Sequence, residues 1–174
     1  LIEKYSNSTQ NNDEAYQLCL YYLGTQNYKM LEETVDEAER QLAETWVQCY
    51  IHKIGYLRGR LLEHEDKWKD ALILYVEFLN YDPINYDLRT SIGQIQRLLG
   101  NHSQSIQMFS DLLKGDPMSG KLNFELAKTY YADGNRKKAL EHLEIVLDIW
   151  ENADPIYKLS IEVREKWTLW NQIN

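Results

Sequence analysis

Tyr86–Ser119 reads YDLRTSIGQIQRLLGNHSQSIQMFSDLLKGDPMS. Its first half places Leu88, Ile92, Ile95 and Leu99 at offsets of three and four, the period of one buried helix face. Gly100-Asn101 interrupts that period. A second helical run follows, with Ile106, Phe109, Leu112 and Leu113 on its apolar side. Gly115-Asp116-Pro117 then stops it, because proline supplies no backbone donor to continue a helix. The stretch is therefore helix, turn, helix, stop.

The same layout recurs on both sides. Asp82-Pro83 lies one period upstream of Asp116-Pro117, and alignment on these stops gives units 52–85, 86–119 and 120–153, each of 34 residues. At the eighth position of the three units stand Gly59, Gly93 and Ala127. At the twentieth stand Ala71, Ser105 and Ala139, and at the twenty-fourth Tyr75, Phe109 and Leu143. Small residues let the two helices of a unit approach, and the large ring or Leu fills the space between units. A weaker unit fits 12–45, with Cys19, Leu31 and Val35 at those three positions and no proline stop.

Helical spacing predicts elements over Asp13–Gly24, Tyr28–Glu44, Thr45–His64, Trp68–Asn80 and Ile84–Leu99. It continues over Ser103–Lys114, Ser119–Asp133, Arg136–Trp150 and Ile156–Trp170. Asn12 or Asp13 is expected to cap the first helix, and a turn is expected near Ala43–Trp46. Gly24 to Asn27, Glu65 to Lys67 and Gly134-Asn135 are the other turns. Pro83 is expected to stop one helix and help start the next. Strand-like alternation is absent, so the fold class is all-α.

This pattern resembles the tetratricopeptide repeat family, whose units carry small residues at positions eight and twenty, a bulky one at twenty-four and proline at thirty-two. Pro83 and Pro117 match; the third unit has Glu151 there and Pro155 four residues later. The resemblance implies one domain over 1–174, a right-handed α-solenoid of helix-turn-helix repeats. Residues 155–172 would form its C-terminal capping helix, covering the last apolar face.

The chemistry of catalysis is missing. His52, His64, His102 and His142 fall in different units and form no close ligand pair. No serine has a nucleophile setting, and nothing nominates a paired acid and base. Gly115–Lys121 has the spacing of a phosphate loop, but Leu122 stands where Ser or Thr would hold magnesium and a helix precedes it. We therefore expect no enzyme, no cofactor and no metal. The formal net charge of -8 argues against nucleic acid as a partner. No apolar run reaches membrane-spanning length. Cys19 and Cys49 read as buried free thiols, with a disulfide between them as the alternative. The acidic face of the second helix, which includes Glu32, Glu33, Asp36 and Glu39, reads as solvated. No signal peptide is visible, so a cytoplasmic location is expected, although a start at Leu1 suits a segment of a longer protein.

The resemblance further implies that the first helix of each unit lines a concave groove. Carried over by position, the lining is Tyr16 in the first unit and Lys53, Tyr56, Arg60, Glu63 and His64 in the second. The third contributes Asp87, Thr90, Gln94, Arg97 and Leu98. The fourth contributes Lys121, Phe124, Lys128, Tyr131 and Ala132. This set is aromatic and basic. It suits a protein or peptide partner bearing acidic and apolar side chains, with rings supplying area and Arg meeting carboxylates. The chaperone-binding members of the family clamp a terminal carboxylate; of the corresponding residues here, Tyr56, Arg60, Ser91, Lys121 and Glu125, only Lys121 agrees. The expected function is a non-catalytic interaction scaffold. Its alternative is a regulatory or sensor segment of a larger protein, acting through intramolecular contacts or by homodimerising through Trp167 and Trp170 of the last helix.

Overall fold

The computed structural model describes the backbone of residues 9–45, 48–154 and 156–172, and their side chains apart from those of 9–13 and 41–52. Among these, every regular element is an α-helix. They are α1 (Thr9–Gly24), α2 (Tyr28–Thr45), α3 (Gln48–His64), α4 (Trp68–Leu79) and α5 (Tyr86–Leu98). They continue with α6 (His102–Leu113), α7 (Gly120–Ala132), α8 (Arg136–Ile149) and α9 (Lys158–Gln172). The described residues form two compact units, divided between Leu88 and Arg89.

Each unit is built by the same local device. Among the described residues, the left-handed ones are Gln26, Asp66, Gly100 and Gly134, with φ of 56°, 58°, 80° and 80°. All four stand at position fifteen of their repeat. Each is followed by a residue whose N–H reaches back five positions: Asn27 to Tyr22, Lys67 to Leu62, Asn101 to Gln96 and Asn135 to Tyr130. The left-handed residue itself donates three positions back, completing the Schellman closure that satisfies the last carbonyls of a helix. The turn after α1 thus centres on Gln26, and Gly24 still belongs to the helix.

The Asp82-Pro83 and Asp116-Pro117 pairs form tight turns between repeats, and a turn hydrogen bond also closes on Asp154. The N–H of Asn85 donates to the Asp82 carbonyl at 3.1 Å, that of Ser119 to Asp116 at 3.1 Å and that of Tyr157 to Asp154 at 2.8 Å. Pro83 and Pro117 therefore sit at the second position of a turn, which their fixed φ favours, and Pro83 is not in a helical first turn as expected. The next helices are capped later. Asn85 accepts from the Leu88 N–H at 3.0 Å, and Ser119 caps α7 through the Leu122 N–H.

Position eight packs against position twenty-four in complementary sizes. Gly59 faces Tyr75 so closely that an added Cβ would lie 2.0 Å from the ring. At Gly93 the added atom would lie 2.7 Å from the Phe109 ring. Where position eight is Ala127 the partner shrinks to Leu143, and where it is Cys19 the partner shrinks to Val35. These four large partners are all fully buried. In the first unit, Cys19, Leu31, Val35, Ile54, Leu57 and Leu61 share one core cluster. In the second, Phe109 packs with Leu112, Leu122 and Leu126, while Ala127, Leu143 and Val146 join Val163 and Trp170.

Several buried polar groups in the second unit are satisfied internally, while Thr90 Oγ1, Arg97 Nε and Trp167 Nε1 are buried without a hydrogen-bond partner. The Thr129 hydroxyl donates to the Glu125 carbonyl at 2.9 Å and accepts from Ser105 at 3.1 Å. The Asn123 amide donates to the carbonyls of Pro117 and Ser119 at 3.2 and 3.0 Å. Its oxygen therefore accepts from Nδ1 of His142 at 2.9 Å, which places a proton on that nitrogen. Burial holds the His142 imidazole below its usual range.

Three expectations change. The first helix starts at Thr9, so neither Asn12 nor Asp13 is its cap. Residues 43–45 of the turn expected near Ala43–Trp46 belong to α2, which runs through Thr45, while residues 46 and 47 lie outside the described ones. The tryptophan face of the last helix turns inward. Trp170 stacks on Tyr131 with ring centroids 4.0 Å apart and gives its carbonyl to Nε of Arg136 at 2.5 Å, and Trp167 packs on the same cluster. Helix α9 thus caps the second unit, and these two rings are spent in doing so. Cys19 is buried and unpaired, and burial pushes its thiol up to about 11. Cys49, the other member of the alternative disulfide, lies outside the described side chains.

Left-handed backbone costs a residue with a Cβ about 1–2 kcal/mol that glycine avoids. Asp66→Gly and Gln26→Gly should therefore each stabilise the protein by about 0.5–1 kcal/mol, the remainder being offset by the greater freedom of an unfolded glycine. Urea denaturation of the two variants measures this.

Candidate functional site

In the first unit the expected lining residues gather around a carboxylate. Nη1 of Arg60 donates to one oxygen of Glu63 at 2.7 Å, and the hydroxyl of Tyr75 donates to the other at 2.6 Å. The three sit together because Arg60 and Glu63 are one turn apart on α3, while Tyr75 on α4 fills the notch left by Gly59. The Glu63 side chain is 12% exposed, and burial raises its carboxyl above the usual range. Tyr56 lies beside Tyr75 with ring centroids 5.9 Å apart. Tyr16 of α1 lies under the ammonium of Lys53, 5.2 Å from its ring centroid. Burial raises the phenols of Tyr16 and Tyr56, with the charge of Asp87 adding to the effect, so both remain protonated donors at neutral pH. His64 is exposed and stacks on Tyr28, with centroids 3.6 Å apart.

In the second unit the counterpart is Glu125. Gln94 of α5 donates to its Oε1 at 3.0 Å, Arg97 to its Oε2 at 3.1 Å and Lys128 to its Oε1 at 2.7 Å. The ammonium of Lys128 also lies 4.6 Å from the Phe124 ring centroid. Lys121, one turn before Glu125 on α7, is exposed.

Most of the expected residues therefore lie on first-helix faces, but one is buried and another is partly covered. Phe124 is 1% exposed and belongs to the core, because its ring fills space beside Val163 and Trp170. Tyr131 is partly covered by the Trp170 ring. Arg60, Arg97 and Lys128, expected as part of a basic lining, carry an internal counter-ion. The missed residues are Glu63 and Glu125 in that role. Their signal was in the sequence: Arg60/Glu63 and Glu125/Lys128 stand at i,i+3, a spacing at which opposite charges meet.

Among the described residues no group of three or more His, Cys, Asp or Glu could hold a metal ion. No described helix is long and apolar enough to cross a membrane. The turn at Gly115–Ser119 follows α6 and precedes α7, with Ser119 as the cap. It is an inter-repeat turn, as expected.

No family model matches the chain. Human tetratricopeptide repeat protein 7A is 26% identical over 114 residues, which is 66% of this chain and 13% of that protein's length. YrrB, described as a TPR protein with an unusual peptide-binding site, superposes with a TM-score of 0.63 at 21% identity, covering 87% of this chain and 73% of its own. The chain has the same fold, an all-α solenoid of helix-turn-helix repeats. Two further solved structures have the same fold. MamA AMB-1 has a TM-score of 0.64 at 24% identity, with 87% of each chain covered. PcrH from Pseudomonas aeruginosa has a TM-score of 0.62 at 17% identity, over 69% of this chain and 91% of its own. This chain spans only a small part of the human tetratricopeptide repeat protein it matches.

Within this helical-repeat frame, Glu63 holds a guanidinium and a phenol that its removal would leave without an acceptor. Glu63→Ala should cost about 1–3 kcal/mol, the usual penalty for stranding shielded donors, and Glu63→Gln less, since the amide oxygen still accepts. Denaturant titration of the two variants checks the order.

Proposed function

We propose that this tetratricopeptide-repeat chain is a protein-interaction scaffold, and that each of its two units binds a peptide segment of a partner on its first-helix face. The observation that carries this reading is the way Glu63 and Glu125 hold partly buried cationic side chains in place. Arg60, Arg97 and Lys128 remain partly accessible, with side chains 28%, 18% and 20% exposed. Their positions are fixed before any partner arrives, so less side-chain entropy is lost on binding. Tyr16 and Tyr56 add rigid amphipathic area to the first unit, which suits apolar side chains next to backbone carbonyls. A peptide-binding site in YrrB, a protein of the same fold, supports the reading by analogy of fold alone. The partner is a protein or peptide, recognised through polar and aromatic contacts, and no chemistry is performed on it.

Selection from a library of random 12-residue peptides displayed on phage tests this. The chain should enrich a set of related sequences, and Lys121→Glu or Tyr56→Ala should weaken the enriched peptides about tenfold, as loss of an interfacial charge or aromatic contact does. Lys137→Glu, on the exposed side of α8, should leave them unchanged. Absence of enriched sequences, or equal effects of all three substitutions, would overturn the proposal.

A further inference from the structure

Charge on the first-helix face of the second unit does not close. Arg97 and Lys128 both pair with Glu125, at 3.1 and 2.7 Å, so two cations share one carboxylate. All three side chains are mostly shielded, at 18%, 20% and 12% exposure. Charges shielded to this degree are ordinarily matched, since an uncompensated one loses more hydration than it recovers. Gln94 adds a neutral donor to the same carboxylate, so it does nothing for the balance. One positive charge is left over, and exposed Lys121 stands one helical turn away on the same side of α7.

The donors are in surplus as well. A guanidinium offers five N–H groups and an ammonium three, while Glu125 takes one hydrogen bond from each. The remaining donors are held by Glu125 at fixed positions around it. One further carboxylate would neutralise the cluster and find donors waiting. A second would meet only the exposed, solvent-screened Lys121 and would lie within a few ångströms of the Glu125 carboxylate, where like charges repel.

We propose that Glu125 sets the acid specificity of this face: it admits one carboxylate of a partner peptide and refuses an adjacent second. This rests on the peptide-binding reading above and names the chemistry of its ligand in the second unit. Glu125 acts here through Arg97 and Lys128, as a positioning and counting residue. The surplus charge also explains why an acidic protein should carry so cationic a patch on a first helix.

The test is peptide selection with the full chain, using the same random 12-residue library, on wild type, Glu125→Gln and Arg97→Gln. Wild type should enrich peptides with a single Asp or Glu at a fixed place. Glu125→Gln keeps the shape and an acceptor but frees a cation, and should shift enrichment to adjacent acidic pairs. Arg97→Gln leaves one cation and one carboxylate, and should abolish acid enrichment. In fluorescence anisotropy, a peptide with an adjacent Glu pair should bind Glu125→Gln about tenfold tighter than wild type, in line with the gain from a charge-assisted contact. A single-Glu peptide should bind the two proteins within about twofold by the same reasoning. Enrichment of acidic clusters by wild type, acid-free binders from wild type, or identical selections from wild type and Glu125→Gln would each overturn the proposal. Should Glu125→Gln fail to fold, unchanged acid enrichment by Arg97→Gln alone would overturn it. A selection that enriches nothing from any of the proteins would instead overturn the underlying peptide-binding reading.

Discussion

The distance between the two helices of a repeat is set by one steric pairing, position eight against position twenty-four. Where position eight has no Cβ, an aromatic ring occupies the space: Tyr75 over Gly59 and Phe109 over Gly93. Where position eight gains a methyl, as in Ala127, the partner is Leu143, and where it gains a thiol, as in Cys19, the partner is Val35. The summed volume is roughly conserved along a chain whose side chains differ at almost every other place. Close-packed interiors demand this, because extra atoms force strain and missing ones leave a cavity. The ring that fills the Gly59 notch also carries the hydroxyl that reaches Glu63. Packing inside the repeat and the arrangement of the exposed face are thus linked through one residue.

Most of the fold was legible before the structure. Helical periodicity, the small and large positions and the Asp-Pro stops are local signals, and each survives in a single repeat. What escaped notice was backbone conformation at residues that do not advertise it. Gly100 and Gly134 take the left-handed place that glycine favours, but Gln26 and Asp66 take the same place against their own preference. The repeat enforces it there, since the helix pairing requires that turn whatever residue occupies it. Gly24 misled for the same reason: it looked like the turn residue and lies in the helix. The start of α1 at Thr9 was hidden because polar residues such as Gln10, Asn11 and Asn12 resemble a loop until the turn beyond them fixes the helix length.

The binding face was legible as a set of positions and less so as chemistry. Counting cations over the first helices suggested a basic lining. The structure pairs Arg60 with Glu63, and Arg97 and Lys128 with Glu125. Arg60/Glu63 and Glu125/Lys128 could have been read from helical spacing, but the Arg97–Glu125 contact joins different repeats and needs the packed unit. Phe124 and Tyr131 show the converse limit. Both occupy positions that face a groove in the repeat pattern, yet one fills the core beside α9 and the other lies beneath Trp170. The capping helix claims rings that an internal repeat would leave open.

The central claim, that complementary size at positions eight and twenty-four fixes the repeat, is tested most directly by a double-mutant cycle in the second unit. Gly93→Ala should cost about 1–3 kcal/mol alone, as overpacking does, because its methyl meets the buried Phe109 ring. Combining it with Phe109→Leu recreates the Ala127/Leu143 pairing already present in the next repeat. Urea denaturation of the four proteins should then show the alanine costing little or nothing in the leucine background, a coupling well beyond the ~0.5 kcal/mol scatter of independent sites. Costs that simply add within that scatter would contradict the account.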